Sequence, residues 1–329
     1  GTLLLGVSAT WLTALCEFPG RKLLTWALLL PMAMPAYIIA YTYTGLLDVA
    51  GPVQSHLRTL FGWSYGDYYF PQIRSLGGAI CMLSLVLYPY VYLLARVAFA
   101  GQSGAVLEAS RNLGKGPWHS FFSVSLPMAR PAIIAGLSLV LMETLADYGT
   151  VAYFGVSAFT TGIFRTWYGL GELITAAQLC AFLLLFVFAL ILLERESRKR
   201  LRFHQSAARA KPKLLVLTGW RGRLATLFGS LIVTLGFALP ALQLTLWAAS
   251  RWRQNFNREF AELLLNSFFL AATAALGCLL VALLLAYAKR RFNRRREHTQ
   301  VEIGAAETVI PSRAHHVERL LRDPQKRRV

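Results

Sequence analysis

The sequence has few of the residues that build disulfide frameworks, metal centres and charged soluble surfaces. Its 4 cysteines and 6 histidines are dispersed over 329 residues without paired spacing, which excludes a disulfide scaffold or a zinc site as the organising feature. Only 15% of the residues are charged and 56% are hydrophobic, a composition too apolar for a soluble globular chain. No Gly-x-x-x-x-Gly-Lys-Ser/Thr phosphate loop occurs, so the chain itself is not expected to hydrolyse ATP.

Acidic residues are also scarce, with 16 against 34 lysines and arginines and a net charge of +18. Such a charge would suggest nucleic acid in a soluble protein, but apolar stretches interrupt the basic residues, so no nucleic-acid partner is expected. Most of these stretches reach the roughly 20 residues with which a helix crosses a bilayer, and none alternates as a barrel strand would. We therefore predict an all-α, polytopic membrane protein with about seven spans. The stretches lie near residues 2–16, 24–47, 73–96, 132–155, 175–193, 224–249 and 264–288.

The basic residues predict the orientation of the chain in a cell (inner) membrane. If the loops at 17–23, 96–131, 194–223 and 289–329 face the cytoplasm, they hold 28 of the 34 lysines and arginines. This asymmetry is the one that the positive-inside rule describes. The rule places the 194–223 segment and the polar stretch at 108–127 on the cytoplasmic side.

That polar stretch separates two long apolar runs and has features of a short helix-turn-helix outside the bilayer. Glu108 favours a helix start, Gly114 permits a sharp turn, and Pro117 and Pro127 suit the first turn of a helix. The alternative is an ordinary interhelical loop in which the glycines are caps and the charges are solvated. The residues that carry the pattern are Glu108, Ala109, Ser110, Gly114, Val124, Leu126 and Pro127.

The pattern resembles the EAA loop in the membrane subunits of binding-protein-dependent ABC importers, apart from Ser110 and Val124, which replace an alanine and an isoleucine. The resemblance implies a type I permease helix bundle in which the loop, here 97–131, docks into a groove on a cytoplasmic ABC ATPase dimer. ATP would then be used by that partner, and this chain would need no cofactor of its own. A periplasmic binding protein would deliver the cargo to the outer side.

Two acidic residues lie within the predicted fourth span. Glu143 and Asp147 are four residues apart, which on a continuous helix places them on one face. A charge at bilayer depth costs on the order of 2.5–3.5 kcal/mol, so both should face a water-filled interior or a partner helix. A structural pair, or proximity of Asp147 to the outer surface, remains the alternative to a role in the translocation pathway.

The chain is similar to ferric-iron importer permeases in particular, from residue 1 to about residue 290. This likeness implies a periplasmic iron-binding protein and Fe(III) as cargo. Fe(III) prefers oxygen ligands, and we expect transient pathway contacts with no tightly bound metal. The segments that carry the likeness are 18–21, 35–37, 47–52, 143–155 and 160–167. The oxygen-bearing candidates are Glu143, Asp147, Tyr148, Tyr37 and Tyr41.

Members of the iron family commonly fuse two permease halves, which suggests a division of this chain. We interpret 1–193 as a first half whose first helix starts upstream, 194–223 as a basic linker, and 224–290 as the start of a second half. The tail at 291–329 is basic and has no further span or second coupling pattern, which favours a truncated or frameshifted end over a disordered cytoplasmic extension that touches anionic lipid. A second permease half or subunit would then complete the pore.

Two other functions stay open. An ion-coupled secondary transporter would use Glu143 and Asp147 as proton or sodium carriers and would need no ATPase. A truncated membrane protein that does not transport would insert into the bilayer and show no uptake.

Overall fold

The computed structural model describes residues 1–102, 110, 112–199, 214–255 and 258–288, almost all of them in helices. Contacts divide the chain into two compact units, Gly1–Ala249 and Ser250–Val329. Short turns join or extend the helices: a 3-10 turn at Leu30–Ala33 and π turns at Phe121–Ser125, Arg165–Gly169 and Thr234–Ala238. Two short strands, β1 (Cys16–Glu17) and β2 (Leu215–Val216), pair in parallel. The helices are α1 (Thr2–Leu15), α2 (Arg21–Ala27), α3 (Ala36–Leu47), α4 (Pro52–Phe61), α5 (Leu76–Ala100), α6 (Pro117–Ser120), α7 (Leu126–Ala146), α8 (Gly149–Tyr153), α9 (Phe159–Phe164), α10 (Leu173–Lys199), α11 (Trp220–Val233), α12 (Leu239–Asn255) and α13 (Arg258–Ala288).

Within the described residues, five helical segments are long and apolar enough to cross a membrane. A sixth arises if the bent pair Arg21–Ala33 and Ala36–Phe61 is counted as one span, and α1 adds a shorter apolar helix of 14 residues. The predicted fold class, an all-α polytopic bundle, is confirmed. The five segments are Leu76–Ala100, Pro117–Ala146, Leu173–Glu196, Trp220–Arg251 and Arg258–Ala288.

The second predicted span, 24–47, is broken rather than continuous. The helices on the two sides of the break are bent by 90°. Pro31 lies in the 3-10 turn and Pro35 precedes the first residue of α3. Proline removes a backbone donor and clashes with the preceding turn, so two prolines four residues apart end one helix and start another.

Helix α5 lies at the centre of the first unit and packs against α1 and α7. The helices approach closely at glycines: a Cβ on Gly6 of α1 would lie 2.7 Å from Val91 Cβ, and one on Gly136 of α7 would lie 2.8 Å from Val91 Cα. Small residues at such crossings are typical of membrane helices, because packing rather than hydrophobicity drives their association.

Buried tyrosines of α5 satisfy the backbone at the break in the second span. The hydroxyl of Tyr88 donates to the carbonyl of Leu28 at 2.6 Å, and that of Tyr92 donates to the carbonyl of Thr25 at 3.0 Å. A carbonyl left unpaired inside the bilayer costs several kcal/mol, of order 4, so these bonds stabilise the break.

Helix α11 and the π turn after it pack on the broken second span. Gly229 and Gly236 lie seven residues apart on this face, where Gly229 meets Leu24 and Gly236 meets Pro31. The hydroxyl of Tyr43 donates to the carbonyl of Leu235 at 2.6 Å. Residues up to Ala249 therefore belong to the same compact unit as α1. The predicted division into permease halves at 193 and 224 stays a prediction.

Candidate functional site

The polar stretch after α5 contains the sharp turn that the sequence predicts. A helical turn that includes Ser110 ends at Gly114, whose φ is +73°. The N–H of Lys115 donates to the carbonyl of Ser110 at 3.2 Å, five residues back. This is the hydrogen bond of a Schellman helix end, for which glycine has the lowest conformational cost. Glu108 and Ala109 lie outside the described residues.

The second part of the stretch is helical and continuous with the next span. Gly116 precedes α6, Pro117 is its first residue, and the helix continues through the π turn Phe121–Ser125 into α7. The sequence predicts a helix-turn-helix here, and the described residues after Gly116 are helical, while the bounds 97–131 of the coupling loop stay a prediction. Proline at the first position favours helix formation. Within this continuous helix, Val124, Leu126 and Pro127 occupy the π turn and the first turn of α7, and all three are half-buried.

Aromatic rings connect this segment to the membrane helices. Trp118 stacks on Trp11 of α1 at a centroid distance of 4.7 Å, and Phe121 lies 5.9 Å from both Trp11 and Phe99 of α5. Our sequence analysis missed this cluster. The helical spacing of Trp118, Phe121 and Phe122 is a signal that could have indicated it.

Polar side chains bridge the two ends of the stretch. The hydroxyls of Ser110 and Ser120 lie 2.8 Å apart, across the Gly114 turn. The side-chain amide of Gln102, just beyond α5, donates to the carbonyl of Ser125 at 2.8 Å. We define the coupling element as residues 102–127; its described part is held by hydrogen bonds at both the turn and the base.

The expectation that Glu143 and Asp147 share one helical face was wrong. Helix α7 ends at Ala146, and Asp147 has extended backbone (ψ 123°). The Asp147 carboxylate accepts hydrogen bonds from the N–H groups of Thr150 and Val151, both at 3.1 Å, and from the Thr150 hydroxyl at 2.9 Å. Asp147 therefore caps the next helix, α8, because a short acidic side chain competes for free N–H groups at a helix start.

Glu143 lies on α7 one turn before that end and is exposed on the surface of the described chain. The expected water-filled interior or partner helix would therefore have to lie against this face from outside the described residues. Its role in a pathway stays a prediction.

Tyrosines from distant parts of the sequence form one cluster beside the Asp147 cap. Tyr37 and Tyr41 of α3 meet the ring of Tyr153 at 5.6 and 6.0 Å, and a Cβ on Gly149 would lie 3.3 Å from Tyr37 Cβ. The guanidinium of Arg74 lies 5.1 Å from the centre of the Tyr153 ring. The structure thus brings together Tyr37, Tyr41 and the segment after Asp147, and it adds Tyr153 and Arg74, which our sequence analysis missed.

The ring of Tyr148 packs on that of Phe164, with a centroid distance of 4.1 Å. A cavity of about 800 Å³ opens on the side that the charge pattern predicts to be outer, and Tyr65, Tyr69 and Arg74 contribute to its lining. In its wall, Gln54 is buried and accepts a hydrogen bond from the Tyr68 hydroxyl at 2.7 Å.

No group of three or more His, Cys, Asp or Glu side chains that could hold a metal ion occurs within the described ranges.

The sequence also matches a known protein family. Residues 3–201 match the family model of the binding-protein-dependent transport system inner membrane component. The chain belongs to this family. It is thus an inner membrane component with several apolar helices long enough to span the bilayer.

Several curated permeases resemble this chain over part of their length. It is 29% identical to the molybdenum transport system permease protein ModB of Escherichia coli K12 over 149 residues, 45% of this permease and 62% of ModB. It is 25% identical to the Fe(3+)-transport system permease protein FbpB 2 of Haemophilus influenzae over 297 residues, 89% of this permease and 54% of FbpB 2. The putative 2-aminoethylphosphonate permease PhnU of Salmonella typhimurium is 29% identical over 161 residues, 49% of this permease and 56% of PhnU. The alignments thus span little more than half of each relative.

Proposed function

We propose that this permease is the membrane subunit of an ATP-driven importer and that its coupling element, residues 102–127, docks on a separate cytoplasmic ATPase dimer. The family match supports this proposal, together with the position of the element between α5 and α7. The observation that carries it is the Gly114 turn, which exposes a short polar segment between two membrane helices.

The contacts of the element provide a route for movement into the membrane. ATP-driven closure of the ATPase dimer would displace the segment around Gly114. The Trp118 stack on Trp11 would carry this displacement to α1, and the continuous helix through the π turn would carry it to α7. Because packed helices shift as units, displacement at the element would alternate the access of the pathway.

We further propose that a periplasmic binding protein and a second permease half or subunit complete the importer. The outer cavity beside Arg74 is a suitable docking place for the binding protein. The second half would cover the exposed face of α7 around Glu143, since a charge at bilayer depth is stabilised by water or a partner. The Asp147 carboxylate is occupied in the α8 cap, which favours ATP-driven transport over an ion-coupled carrier that would use this group.

Ferric iron is the cargo that we propose first. FbpB 2 aligns with 89% of this chain. The hydroxyl oxygens of Tyr37 and Tyr41 are hard ligands, which Fe(III) prefers. An oxyanion is the second candidate. Arg74 beside the tyrosine cluster favours it, as do the names of ModB and PhnU. Uptake of labelled iron against labelled molybdate by the assembled importer distinguishes the two.

A matched pair of glycine substitutions tests the coupling role. A Cβ at either Gly114 or Gly116 meets no atom within 4 Å, but Gly114 has φ +73° and Gly116 has φ −64°. Gly114→Val should therefore strain the turn by roughly 1–2 kcal/mol and abolish cargo-stimulated ATP hydrolysis in proteoliposomes that contain the whole importer. Gly116→Val should leave it near the unsubstituted level.

Membrane insertion and yield should be equal for both variants. Unchanged stimulation in the Gly114→Val importer would reject the coupling role. An equal loss in both variants would show that side-chain volume, and not the turn, is what matters.

A further inference from the structure

Gln102 and Ser125 form a buried polar junction at the base of the coupling element. Gln102 is only 6% exposed and Ser125 is fully buried. The Nε2 amide of Gln102 donates to the Ser125 carbonyl at 2.8 Å, across 23 residues of sequence. This bond joins the end of α5 directly to the π turn that leads into α7.

Stability alone does not account for glutamine at this position. Within the described part of the chain, Gln102 Oε1 and Ser125 Oγ are buried and have no hydrogen-bond partner. An unpaired buried polar atom is unfavourable, whereas an apolar side chain of similar shape would bury no such atom. Among the described residues, the amide group of Gln102 thus has a side-chain hydrogen bond and its Oε1 has none, and this bond is made to the π turn.

The π turn is a suitable point for such a bond. Its hydrogen bond runs from the Leu126 N–H to the Phe121 carbonyl, so the helix is locally wider than an α-helix. Pro127 and Pro131 then remove two backbone donors from the next turns. A segment with a weakened ladder bends easily, and π turns in helices often mark functional sites. The Phe121 ring already contacts Phe99 of α5, and the Gln102 bond adds a directional tie from the end of α5 to the backbone of this segment.

We propose that Gln102 is a positioning residue that makes α5 and α7 move together when the coupling element is displaced. This inference rests on the proposed function, since it concerns how the same element transmits force. Gln102 contacts neither cargo nor nucleotide in this role. It acts through the Ser125 carbonyl.

The test uses the complete importer, with its ATPase and binding protein, in proteoliposomes. Gln102→Met keeps the length and volume of the side chain but removes the amide donor. Cargo-stimulated ATP hydrolysis should fall about tenfold, within the range over which single positions modulate coupling. The ATPase should co-purify with the permease in unchanged proportion.

Ser125→Ala is the matched control. It removes the unpaired hydroxyl but keeps the carbonyl that Gln102 binds, so stimulation should be unchanged. An equal loss in Ser125→Ala and Gln102→Met would overturn the proposal, because the loss would then follow packing and not the carbonyl bond.

A distance measurement separates transmission from folding. Spin labels at Ala100, on the last turn of α5, and at Met128, on the first turn of α7, occupy exposed positions. Nucleotide trapping should leave this distance unchanged in the unsubstituted importer and should change or broaden it in Gln102→Met. Identical distances in both would reject the role of Gln102. If Gln102→Met retains full coupling while Gly114→Val loses it, the inference fails and the proposed function stands; if both retain coupling, the proposed function itself fails.

Discussion

The role of Asp147 in the structure differs from the role that its position in the sequence suggests. Its spacing from Glu143 suggested two carboxylates on one helical face, but α7 ends at Ala146 and the Asp147 side chain accepts three hydrogen bonds at the start of α8. Its own carbonyl also accepts a bond from the Thr160 hydroxyl at 2.7 Å. Asp147 thus organises the turn that brings Gly149 against Tyr37.

Substitution of Asp147 should therefore affect stability before transport. Asp147→Ala removes the cap and should lower the free energy of unfolding by about 1 kcal/mol, measured by thermal unfolding of the purified permease in detergent. Asp147→Asn should lose less, because asparagine also caps helices well. Unchanged thermal stability together with lost uptake would instead assign Asp147 to the pathway.

At the scale of elements, glycines decide how closely the helices approach. Gly229 and Gly236 lie on the face by which α11 and the following π turn meet the first part of the broken second span. Their spacing of seven residues is visible in the sequence, but the residues that they meet, Leu24 and Pro31, are brought to this face only by the tertiary packing. A side chain on this face would therefore separate the two elements.

Alanine substitution should change stability differently at a closely packed glycine and at a glycine with open space around it. A Cβ on Gly236 would lie 2.8 Å from Pro31 Cγ and 3.3 Å from the Leu85 carbonyl, so Gly236→Ala should destabilise the fold by roughly 1–3 kcal/mol. Gly162→Ala in α9, where a Cβ meets no atom within 4 Å, should be neutral or stabilising by up to about 1 kcal/mol. Thermal unfolding of the two variants side by side gives the comparison. Equal melting temperatures would contradict the close packing at Gly236.

For the whole molecule, composition indicates a membrane protein and the charge pattern predicts which loops lie on each side. The apolar segments are long enough to span, and 28 of the 34 lysines and arginines lie in the loops predicted to face the cytoplasm. The coupling element is on that side in this orientation, where an ATPase would meet it. The outer cavity is on the other.

Cysteine labelling tests this orientation. In a chain whose native cysteines are replaced, Lys115→Cys should react with a membrane-impermeant maleimide in inverted vesicles only, and Tyr65→Cys should react in right-side-out vesicles only. Both positions are exposed, so reactivity reports sidedness rather than burial. Labelling of Lys115→Cys from outside would reverse the orientation and reject docking of the element on a cytoplasmic ATPase.

The sequence by itself determined the class of protein, the positions of the long helices and the Gly114 turn. These features depend on local properties: the length of an apolar stretch, the charge next to it, and the backbone freedom of a glycine. Pro31 and Pro35 are local signals of the same kind, because proline acts on its own helix, but the pattern of apolar residues predicted 24–47 as one span.

Only the tertiary structure decided which side chains meet. The bond between Gln102 and Ser125 and the cluster of Tyr37, Tyr41 and Tyr153 join residues that are 23 to 116 positions apart. Such contacts depend on helix crossings, and the crossings depend on where small residues let backbones approach. No local pattern contains that information, so the tyrosine cluster and the junction at Gln102 become visible only when the helices are packed.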